Sequence, residues 1–359
     1  MPKGLYIHVP FCVRKCRYCD FFSVTDLTLA EDYAHALIRN IKAYGETFDT
    51  VYFGGGTPSL LTAGQICNIL SAASITANAE ISMECNPNSV NKKYLSELRQ
   101  TGINRLSFGI QSLSSSELHA LGRLHDSGKA VAAVENAHSA GFENISADLM
   151  LATPGQTMPS LNDTIERLCR LPLTHISAYM LKIEKGTPLA ADEKLLQTLP
   201  DDDKEAEMYL LTVNLLNENG FAQYEISNFA KAGRECRHNL KYWHCEEYLG
   251  IGTGAHSYLN GVRFEVPKNL NNFINSERQQ TIITDSAPGS LSERLMLALR
   301  LKEGFPISEA GEYANKLTAA AVPMEKAGLL KILEDRIALT PEGFLVSNEI
   351  ILRLTCLTS

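Results

Sequence analysis

Six stretches of β-forming residues recur along this chain, and a helical pattern follows each of them. This alternation predicts parallel strands joined by right-handed crossovers, with the helices outside the sheet. Six units are fewer than the eight of a closed barrel, so the sequence predicts an α/β fold with an open, partial (β/α)6 barrel. A doubly wound sheet remains the alternative, because periodicity alone does not separate the two. The predicted strands lie at 5–10, 50–53, 79–84, 103–110, 144–149 and 174–180, and the helices between them at 29–44, 63–74, 91–100, 127–140 and 159–171.

A change of pattern near residue 220 divides the chain into three predicted regions. Residues 1–220 form the partial barrel. Residues 221–284, which are rich in Gly, Asn, His and aromatic residues, form a connecting segment that covers the barrel mouth. Residues 285–359 combine helices with a hairpin at 329–339, an arrangement typical of a small winged-helix-like domain.

Two local patterns predict where helices begin and end. Asp201, Asp202 and Asp203 precede a helical stretch, and we interpret them as its amino-terminal cap rather than as a metal site. Glycines follow three of the predicted barrel helices, where a left-handed residue commonly ends a helix. These are Gly45, Gly102 and Gly141.

Composition excludes several classes of function. The net charge of −8 gives no support to a nucleic-acid partner, since such binding depends on dense Lys and Arg. No apolar stretch approaches the roughly 18 residues of a membrane span, and the first residues do not resemble a secretory signal. The nine cysteines therefore indicate reduced thiols in the cytoplasm.

Three of these cysteines form the most specific motif in the chain. Cys12, Cys16 and Cys19 have C-x₃-C-x₂-C spacing on the loop after the first predicted strand. Three thiolates on one loop are suited to hold three irons of a [4Fe–4S] cluster, which leaves the fourth iron open. A zinc site completed by His8, or three unrelated thiols, are the alternatives. The neighbouring Arg14, Lys15 and Arg17 are expected to favour the thiolate form.

Polar or glycine residues stand at the ends of the following strands. Gly54, Gly55 and Gly56 end the second strand, where backbone without side chains can approach a ligand closely. Acidic, amide and guanidinium groups follow at later strand ends, and parallel strands bring such groups to one edge of the sheet. These groups belong to Glu84, Gln111, Arg123 and Asp148.

The motifs together resemble the radical S-adenosylmethionine (SAM) superfamily. The branch they are similar to contains oxygen-independent coproporphyrinogen III oxidases and the HemW-type heme chaperones, and the similarity extends over nearly the whole chain. It implies a [4Fe–4S] cluster whose open iron binds the amine and carboxylate of SAM. The motifs include Tyr6-Ile-His-Val-Pro-Phe-Cys12, Gly54-Gly-Gly-Thr-Pro58, Glu84-Cys-Asn-Pro87, Arg105-Leu-Ser-Phe-Gly-Ile-Gln111, Leu121-Gly-Arg-Leu-His125, His238-Asn-Leu-Lys-Tyr-Trp243 and Gly250-Ile-Gly-Thr-Gly-Ala-His256.

The resemblance also implies a set of SAM-contacting residues. Within that set, Tyr18 would place its ring against adenine. The residues are Tyr6, Tyr18, Gly55, Gly56, Thr57, Glu84, Gln111, Arg123 and Asp148.

Two functional hypotheses follow from the resemblance, and the sequence favours the heme chaperone over the oxidase. Decarboxylating members carry a further cysteine where this chain has Phe21, and they have an amino-terminal extension that is expected to be absent here. Leu151 and Ala152 replace the usual Tyr-Gly pair of the branch. A radical SAM methyltransferase is a third, weaker possibility.

The heme hypothesis predicts its own site residues. His238 is the predicted iron ligand, and Tyr242 and Trp243 would contact the flat macrocycle. Cys236 and Cys245 are alternative ligands, and a histidine packed for structural reasons is the competing interpretation. A heme-accepting protein and an electron donor such as a flavodoxin are the expected partners.

Overall fold

All six predicted strands are present in the computed structural model, which describes residues 2–358. They pair side by side in sequence order, and each is parallel to the next. The predicted α/β class with an open parallel sheet is therefore confirmed. The strands are β1 (Lys3–Val9), β2 (Thr47–Gly55), β3 (Ser74–Cys85), β4 (Arg105–Gln111), β5 (Asn144–Leu151) and β6 (His175–Met180).

Helices connect these strands and cover one face of the sheet. The residues that end three of them, Gly45, Gly102 and Gly141, have positive φ angles of 65°, 107° and 91°, as the sequence predicts. Short 3₁₀ turns follow β2 and β3 before the next helix. The helices are α1 (Ala30–Tyr44), α2 (Ala63–Ser71), α3 (Lys92–Gln100), α4 (Ser115–Ala120), α5 (Ser127–Ser139) and α6 (Met158–Cys169).

The two faces of the parallel sheet differ in polarity. Leu5, Ile7 and Phe53 belong to the face that packs with the helices in the hydrophobic core. Alternate positions carry polar side chains on the opposite face, because successive side chains of a strand point to opposite sides. Glu84 and Asp148 are on this second face, so the sheet forms a polar surface that is largely shielded from water.

Asp201 caps a long helix that follows the barrel. After α7 (Glu193–Leu196) comes α8 (Asp202–Glu218), and the Asp201 carboxylate accepts a hydrogen bond from the Lys204 N–H at 3.0 Å. The predicted role of the aspartate triplet as a helix cap is confirmed.

Residues 221–284 extend both edges of the sheet, so they are more than the predicted cover. β7 and β8 continue the sheet beyond β6, whereas β9 pairs in parallel with β1 and is followed by three antiparallel strands. The result is an open twelve-stranded sheet with β12 and β7 at its edges. The elements are β7 (Ala222–Glu225), β8 (Asn228–Ala230), α9 (Arg237–Trp243), β9 (Tyr248–Ile251), β10 (His256–Leu259), β11 (Val262–Glu265), α10 (Leu270–Asn275) and β12 (Ile282–Asp285).

The last part of the chain contains the predicted helices and hairpin. Two antiparallel strands turn at 333–335, which confirms the hairpin, and a third short strand joins them in the order β13-β15-β14. Across the described residues 2–358, no helix is long and apolar enough to cross a membrane. The elements are α11 (Leu291–Ala298), β13 (Phe305–Pro306), a 3₁₀ segment at Ile307–Tyr313, α12 (Ala314–Lys326), β14 (Leu330–Ile332), β15 (Arg336–Leu339), α13 (Pro341–Leu345) and α14 (Ser347–Thr355).

The substitution Gly343→Ala tests the packing of this last part. Helix propensity alone predicts a gain in stability, but a Cβ at Gly343 would overlap the Leu329 carbonyl. We expect the free energy of unfolding to fall by about 1–3 kcal/mol, as for an overpacked core site, in urea denaturation followed by circular dichroism.

Gly64→Ala is the matched control, because it also places alanine in a helix but meets only the Thr62 side chain, at 3.9 Å. This variant should be neutral or more stable by up to about 1 kcal/mol. Equal effects of the two substitutions would contradict the described packing of Gly343.

Candidate cluster and cofactor site

The cysteine loop follows β1 and is fixed by backbone hydrogen bonds at both ends. The Cys12 N–H donates to the Val24 carbonyl at 2.9 Å, and the Arg17 N–H donates to the Leu121 carbonyl at 3.2 Å. The three cysteines are partly buried and form no disulfide. The loop therefore presents three thiols from a backbone held by Val24, just after the loop, and by the distant Leu121.

Two of the basic residues beside the cysteines anchor the loop. Arg14 Nη2 donates to the Gly122 carbonyl at 2.7 Å, and Arg17 Nη2 pairs with the Asp192 carboxylate at 2.8 Å. Burial raises the pKa of Cys19, and the nearby Cys16 and Cys12 raise it further, although Lys15 acts in the opposite direction. Lys15 thus favours the Cys19 thiolate, as expected, but burial outweighs its effect.

The cation that contacts a cluster cysteine is Arg123. Its Nη1 lies 3.4 Å from the Cys16 Sγ, and its Nη2 donates to the Gly109 carbonyl. Burial lowers the pKa of Arg123, but Tyr18 and Cys16 outweigh this and raise it, so the guanidinium stays charged. A fixed positive charge at this thiol stabilises the thiolate that an iron needs as its ligand.

The thiols fit a cluster better than the zinc alternative. His8 Nε2 donates to the Phe22 carbonyl at 3.2 Å, and the Tyr6 hydroxyl donates to His8 Nδ1 at 3.1 Å, so both ring nitrogens are engaged. Within residues 2–358, no three His, Cys, Asp or Glu side chains converge on a position for one metal ion. A [4Fe–4S] cluster does not need such convergence, because each cysteine binds a different iron.

The glycine stretch at the end of β2 lies against the β1 side of the site. Gly55 has φ of 110°, and a Cβ there would lie 2.6 Å from the His8 ring. A Cβ at Gly56 would lie 2.7 Å from the Phe11 carbonyl oxygen. Both positions thus require glycine for close backbone packing, and the Gly55 N–H points towards Glu84 at 3.2 Å.

Glu84 is a partly buried carboxylic acid held by neutral donors. Its Oε1 accepts from the Tyr52 hydroxyl at 3.0 Å, and its Oε2 accepts from the Gly55 N–H. Burial raises the pKa of Glu84 to about 7, with a further contribution from the charge of Asp148. A cationic ligand group would reverse this effect by favouring the carboxylate.

Asp148 and Gln111 lie near Arg123 on the polar face. Asp148 accepts a hydrogen bond from Ser107 Oγ at 2.9 Å, and burial raises its pKa. Gln111 has a φ of 69°, which is uncommon for a residue other than glycine and indicates local strain. A Cβ at Gly109 would contact both the Gln111 amide and the Arg123 guanidinium, which places these two side chains side by side.

The remaining predicted SAM residues surround the cysteine loop. Thr57 Oγ1 lies 3.6 Å from Cys12 Sγ. Burial raises the pKa of Tyr18, which remains a neutral phenol beside Arg123. Tyr6 stacks on Tyr52 with ring centroids 6.3 Å apart. Tyr6 is also the one member of the predicted set that lines a cavity of about 450 Å³ at the mouth, beside the cysteine loop.

His238 does not line the mouth cavity, although its hydrogen-bond partner Tyr242 does. Its Nδ1 hydrogen bonds with Thr50 Oγ1 at 2.8 Å, and its ring lies beside Gly4, near the amino-terminal ends of β1 and β2. The side chain is fully buried, and its Nε2 hydrogen bonds with the Tyr242 hydroxyl at 2.8 Å. Burial lowers the pKa of His238 to about 3. With both nitrogens engaged, this neutral ring packs as a structural residue.

The other predicted heme residues separate in the structure. Tyr242 lines the mouth cavity, whereas Trp243 does not. Cys236 is fully buried, and its thiol lies 3.7 Å from Glu80. Cys245 is partly buried and lies 3.6 Å from Arg263 Nη2. Of the five residues proposed for heme from the sequence, Tyr242 alone faces open space at the mouth.

Sequence reasoning missed the residues that support the predicted ones. Tyr52, Ser107 and Arg105 lie on the polar face, and the first two donate to Glu84 and Asp148. The sequence contained a signal for them, because these polar residues alternate with buried apolar residues along the predicted strands. Parallel strands that are covered on both faces usually lack such alternation.

Comparison with known proteins agrees with this geometry. A family model of the radical SAM superfamily matches residues 6–168, and a model of the HemN C-terminal domain matches residues 286–346. The heme chaperone HemW of Lactococcus lactis is 32% identical over 97% of this chain and 96% of its own length. The heme chaperone HemW of Mycobacterium tuberculosis is 34% identical over 98% of this chain and 94% of its own. This chain belongs to the HemW family of radical SAM proteins.

A solved structure shows the same fold over almost the whole chain. Coproporphyrinogen III oxidase (HemN) from Escherichia coli superposes with a TM-score of 0.83 at 22% identity, covering 99% of this chain and 90% of that one. The departures at Leu151 and Ala152 are fully buried, so they do not reshape an exposed surface. Ala152 has a φ of 57°, a conformation that glycine adopts more readily than alanine.

The substitution His238→Ala tests the structural role of this residue. It removes a buried ring and leaves Thr50 and Tyr242 without their shared partner. We expect the free energy of unfolding to fall by about 2–4 kcal/mol in chemical denaturation. Thr50→Val breaks one of the two hydrogen bonds and should cost about 1–2 kcal/mol. Unchanged stability of His238→Ala would contradict a packed, hydrogen-bonded ring.

Proposed function

We propose that this protein is a heme chaperone that binds a [4Fe–4S] cluster, SAM and heme, and passes heme to an acceptor protein. The observation that carries the proposal is the similarity over 97% of this chain to a full-length relative named as a heme chaperone. The arrangement of thiols, carboxylates and glycine backbone at one edge of the sheet supports the cluster and SAM sites within this proposal.

Cys12, Cys16 and Cys19 are the proposed ligands of the cluster. When bound, a cluster with one open iron supplies an electron beside SAM. Arg123 stabilises the Cys16 thiolate through its contact at 3.4 Å, and it adds positive charge next to an anionic cluster. Arg14 and Arg17 hold the loop in place from its two sides.

The SAM site is proposed along the ends of β2 to β5. Gly55 and Gly56 allow the backbone beside the site to pack closely on His8 and Phe11, and Glu84 would hold the cationic sulfonium of SAM. Asp148 and Gln111 would supply acceptors, and Tyr18 would lie against the adenine. Their burial excludes water from the polar groups that orient the ligand.

The alternative function is oxygen-independent oxidation of coproporphyrinogen III. The structural similarity to HemN favours it, although at 22% identity this similarity establishes the fold alone. Against it stands Phe21, which occupies the position of a cysteine in decarboxylating members of the branch. The Phe21 side chain is 65% exposed at the mouth cavity, so this difference lies where a substrate would enter.

The proposed partners are a heme-accepting protein and a one-electron donor such as a flavodoxin. The proposed location is the cytoplasm, where nine cysteines remain as thiols. No nucleic-acid role is proposed, because the net charge is −8.

Anaerobic reconstitution tests the chaperone against the oxidase. The protein with its cluster and SAM should retain heme and release it to apomyoglobin, which serves as a simple acceptor. Under the same conditions with dithionite as reductant, coproporphyrinogen III should remain unconverted by chromatography. Catalytic accumulation of protoporphyrinogen IX would overturn the chaperone proposal.

The cysteine assignment has its own control within this experiment. Cys12→Ala, Cys16→Ala and Cys19→Ala should each abolish the cluster absorption at roughly 400 nm and its reduced EPR signal. Cys67→Ala should keep both, because Cys67 is an exposed thiol on α2. A cluster that survives in the triple variant would exclude these ligands.

Glu84 makes the affinity for SAM depend on pH. The pKa of Glu84 without ligand is about 7, and a cationic group of SAM binds its ionised form. Below this pKa a proton must be lost on binding, so affinity should rise about tenfold per pH unit towards pH 7 and level off above it. Equilibrium dialysis with labelled SAM between pH 5.5 and 7.5 measures this dependence.

Glu84→Gln is the control, since it keeps the size of the side chain and one oxygen that accepts a hydrogen bond from Gly55 or Tyr52, but it does not titrate. This variant should bind SAM more weakly at pH 7.5 and with little dependence on pH. The same slope in both proteins would show that another group governs the titration.

A further inference from the structure

The mouth cavity has the size and lining of a site for a flat aromatic ligand. Its volume is about 450 Å³, within the range of roughly 300–1,000 Å³ typical of small-molecule sites. It opens between the end of the cysteine loop and the start of β10. Aromatic side chains form much of its wall. A histidine that can bind iron and a lysine that can bind a carboxylate lie beside them. Its lining includes Phe21, Phe22, Tyr242, Tyr248, His256 and Lys268.

The aromatic rings offer apolar surface that is open at one side. Phe21 is 65% exposed, an unusual degree for a phenylalanine beside a cavity. Tyr242 and Tyr248 pack edge to face with ring centroids 4.5 Å apart, which fixes the opposite wall. A ligand with a wide apolar face would bury the exposed ring without displacing the fixed pair.

Among the histidines that line the cavity, His256 has a ring available for iron. His8 donates and accepts hydrogen bonds through both nitrogens, to Phe22 and from Tyr6. The His256 side chain is 59% exposed, and its Nε2 lies 3.6 Å from the Glu265 carboxylate. This carboxylate orients the imidazole and leaves Nδ1 as the iron-binding nitrogen.

The glycine motif before His256 fixes its backbone. A Cβ at Gly250 would overlap the His256 carbonyl, so β9 and the start of β10 lie in direct contact there. Pairing of Tyr258 with Tyr248 and of His256 with Glu265 continues this arrangement into the sheet. The imidazole therefore projects from a rigid strand rather than from a loose loop.

Lys268 adds a positive charge at the rim. It is exposed, and its stem lies close to Gly254, as does Phe22. Carboxylate groups on the edge of a ligand would meet this ammonium while the ring stays against the aromatic wall. Asp20 and Glu265 are the acidic groups nearby, and Glu265 already faces His256.

We propose that this cavity is the heme site, with His256 as the axial ligand, Lys268 as the partner of a propionate and Phe21 as a wall against the macrocycle. The inference rests on the proposed heme chaperone function and gives that function a location. It replaces His238, which is fully buried behind Tyr242 with both ring nitrogens hydrogen-bonded. It also gives a role to the Gly250–His256 motif, which the cluster and SAM sites do not use.

The test titrates heme into the reconstituted protein and its variants. His256→Ala should weaken heme binding about tenfold, change the EPR signal of the ferric heme and shift the Soret band in difference spectra. Added imidazole should restore the signal, because it supplies the missing ligand. His35→Ala is the matched control, an exposed histidine on α1, and should bind like the wild type.

Two further ligands separate the contributions of ring and carboxylate. Metal-free protoporphyrin IX should bind His256→Ala and the wild type equally, but Phe21→Ala more weakly. Lys268→Ala should weaken heme binding about two- to fivefold and leave binding of heme dimethyl ester unchanged, since the ester has no charge to pair. Lys93→Ala, an exposed lysine on α3, is its control and should have no effect on either ligand.

The outcomes distinguish this inference from the function on which it rests. Wild-type protein that does not bind heme would remove the chaperone proposal and this site with it. Wild-type protein that binds heme, together with His256→Ala and Phe21→Ala variants that bind it equally well, would overturn the site alone. Retained cluster absorption in each variant shows that any loss belongs to the cavity.

Discussion

Burial of polar groups on one face of a parallel sheet is the constraint on which the rest of the structure depends. A polar group removed from water costs free energy unless it has a hydrogen-bond partner. Glu84 obtains donors from Tyr52 and the Gly55 backbone, and Asp148 obtains one from Ser107. At the other end of the strands, α9 supplies backbone N–H groups to Glu80. The start of α9 is therefore needed to satisfy a carboxylate on the inner face of the sheet.

The regular part of the fold was predictable because each strand and helix carries its own signal. The six strands, the glycine helix ends and the Asp201 cap all follow from local sequence. β9 was missed because Tyr248–Ile251 is only four residues long and includes a glycine. Its partner β1 lies at the other end of the chain, and such long-range pairing leaves no periodic trace in sequence.

Site residues could be predicted from the sequence where their position at a strand end or their spacing identifies them. They could not be predicted where contacts between distant segments decide which residues meet. Glu84 and Asp148 follow from strand ends, and the cysteines from their spacing. The cation that contacts the Cys16 thiol is Arg123 rather than a basic residue of the cysteine loop. Arg123 is distant in sequence, and only folding brings it next to Cys16. His238 looked like a ligand because aromatic residues surround it in sequence. A short helix that turns inwards buries it instead, and no local pattern specifies that direction.

The pairing of β1 with β9 also sets an order of events during synthesis. β1 ends at Val9, whereas β9 begins at Tyr248. At ordinary rates of 5–20 residues per second, the ribosome needs roughly 10–50 seconds to synthesise the chain between these two strands. Throughout that interval one edge of β1 has unpaired N–H and C=O groups, the kind of edge that invites pairing with other chains. The strand that carries the cysteine loop is thus the last of β1 to β6 to gain both neighbours. Aggregation of nascent chains is consequently a hazard concentrated at the amino terminus.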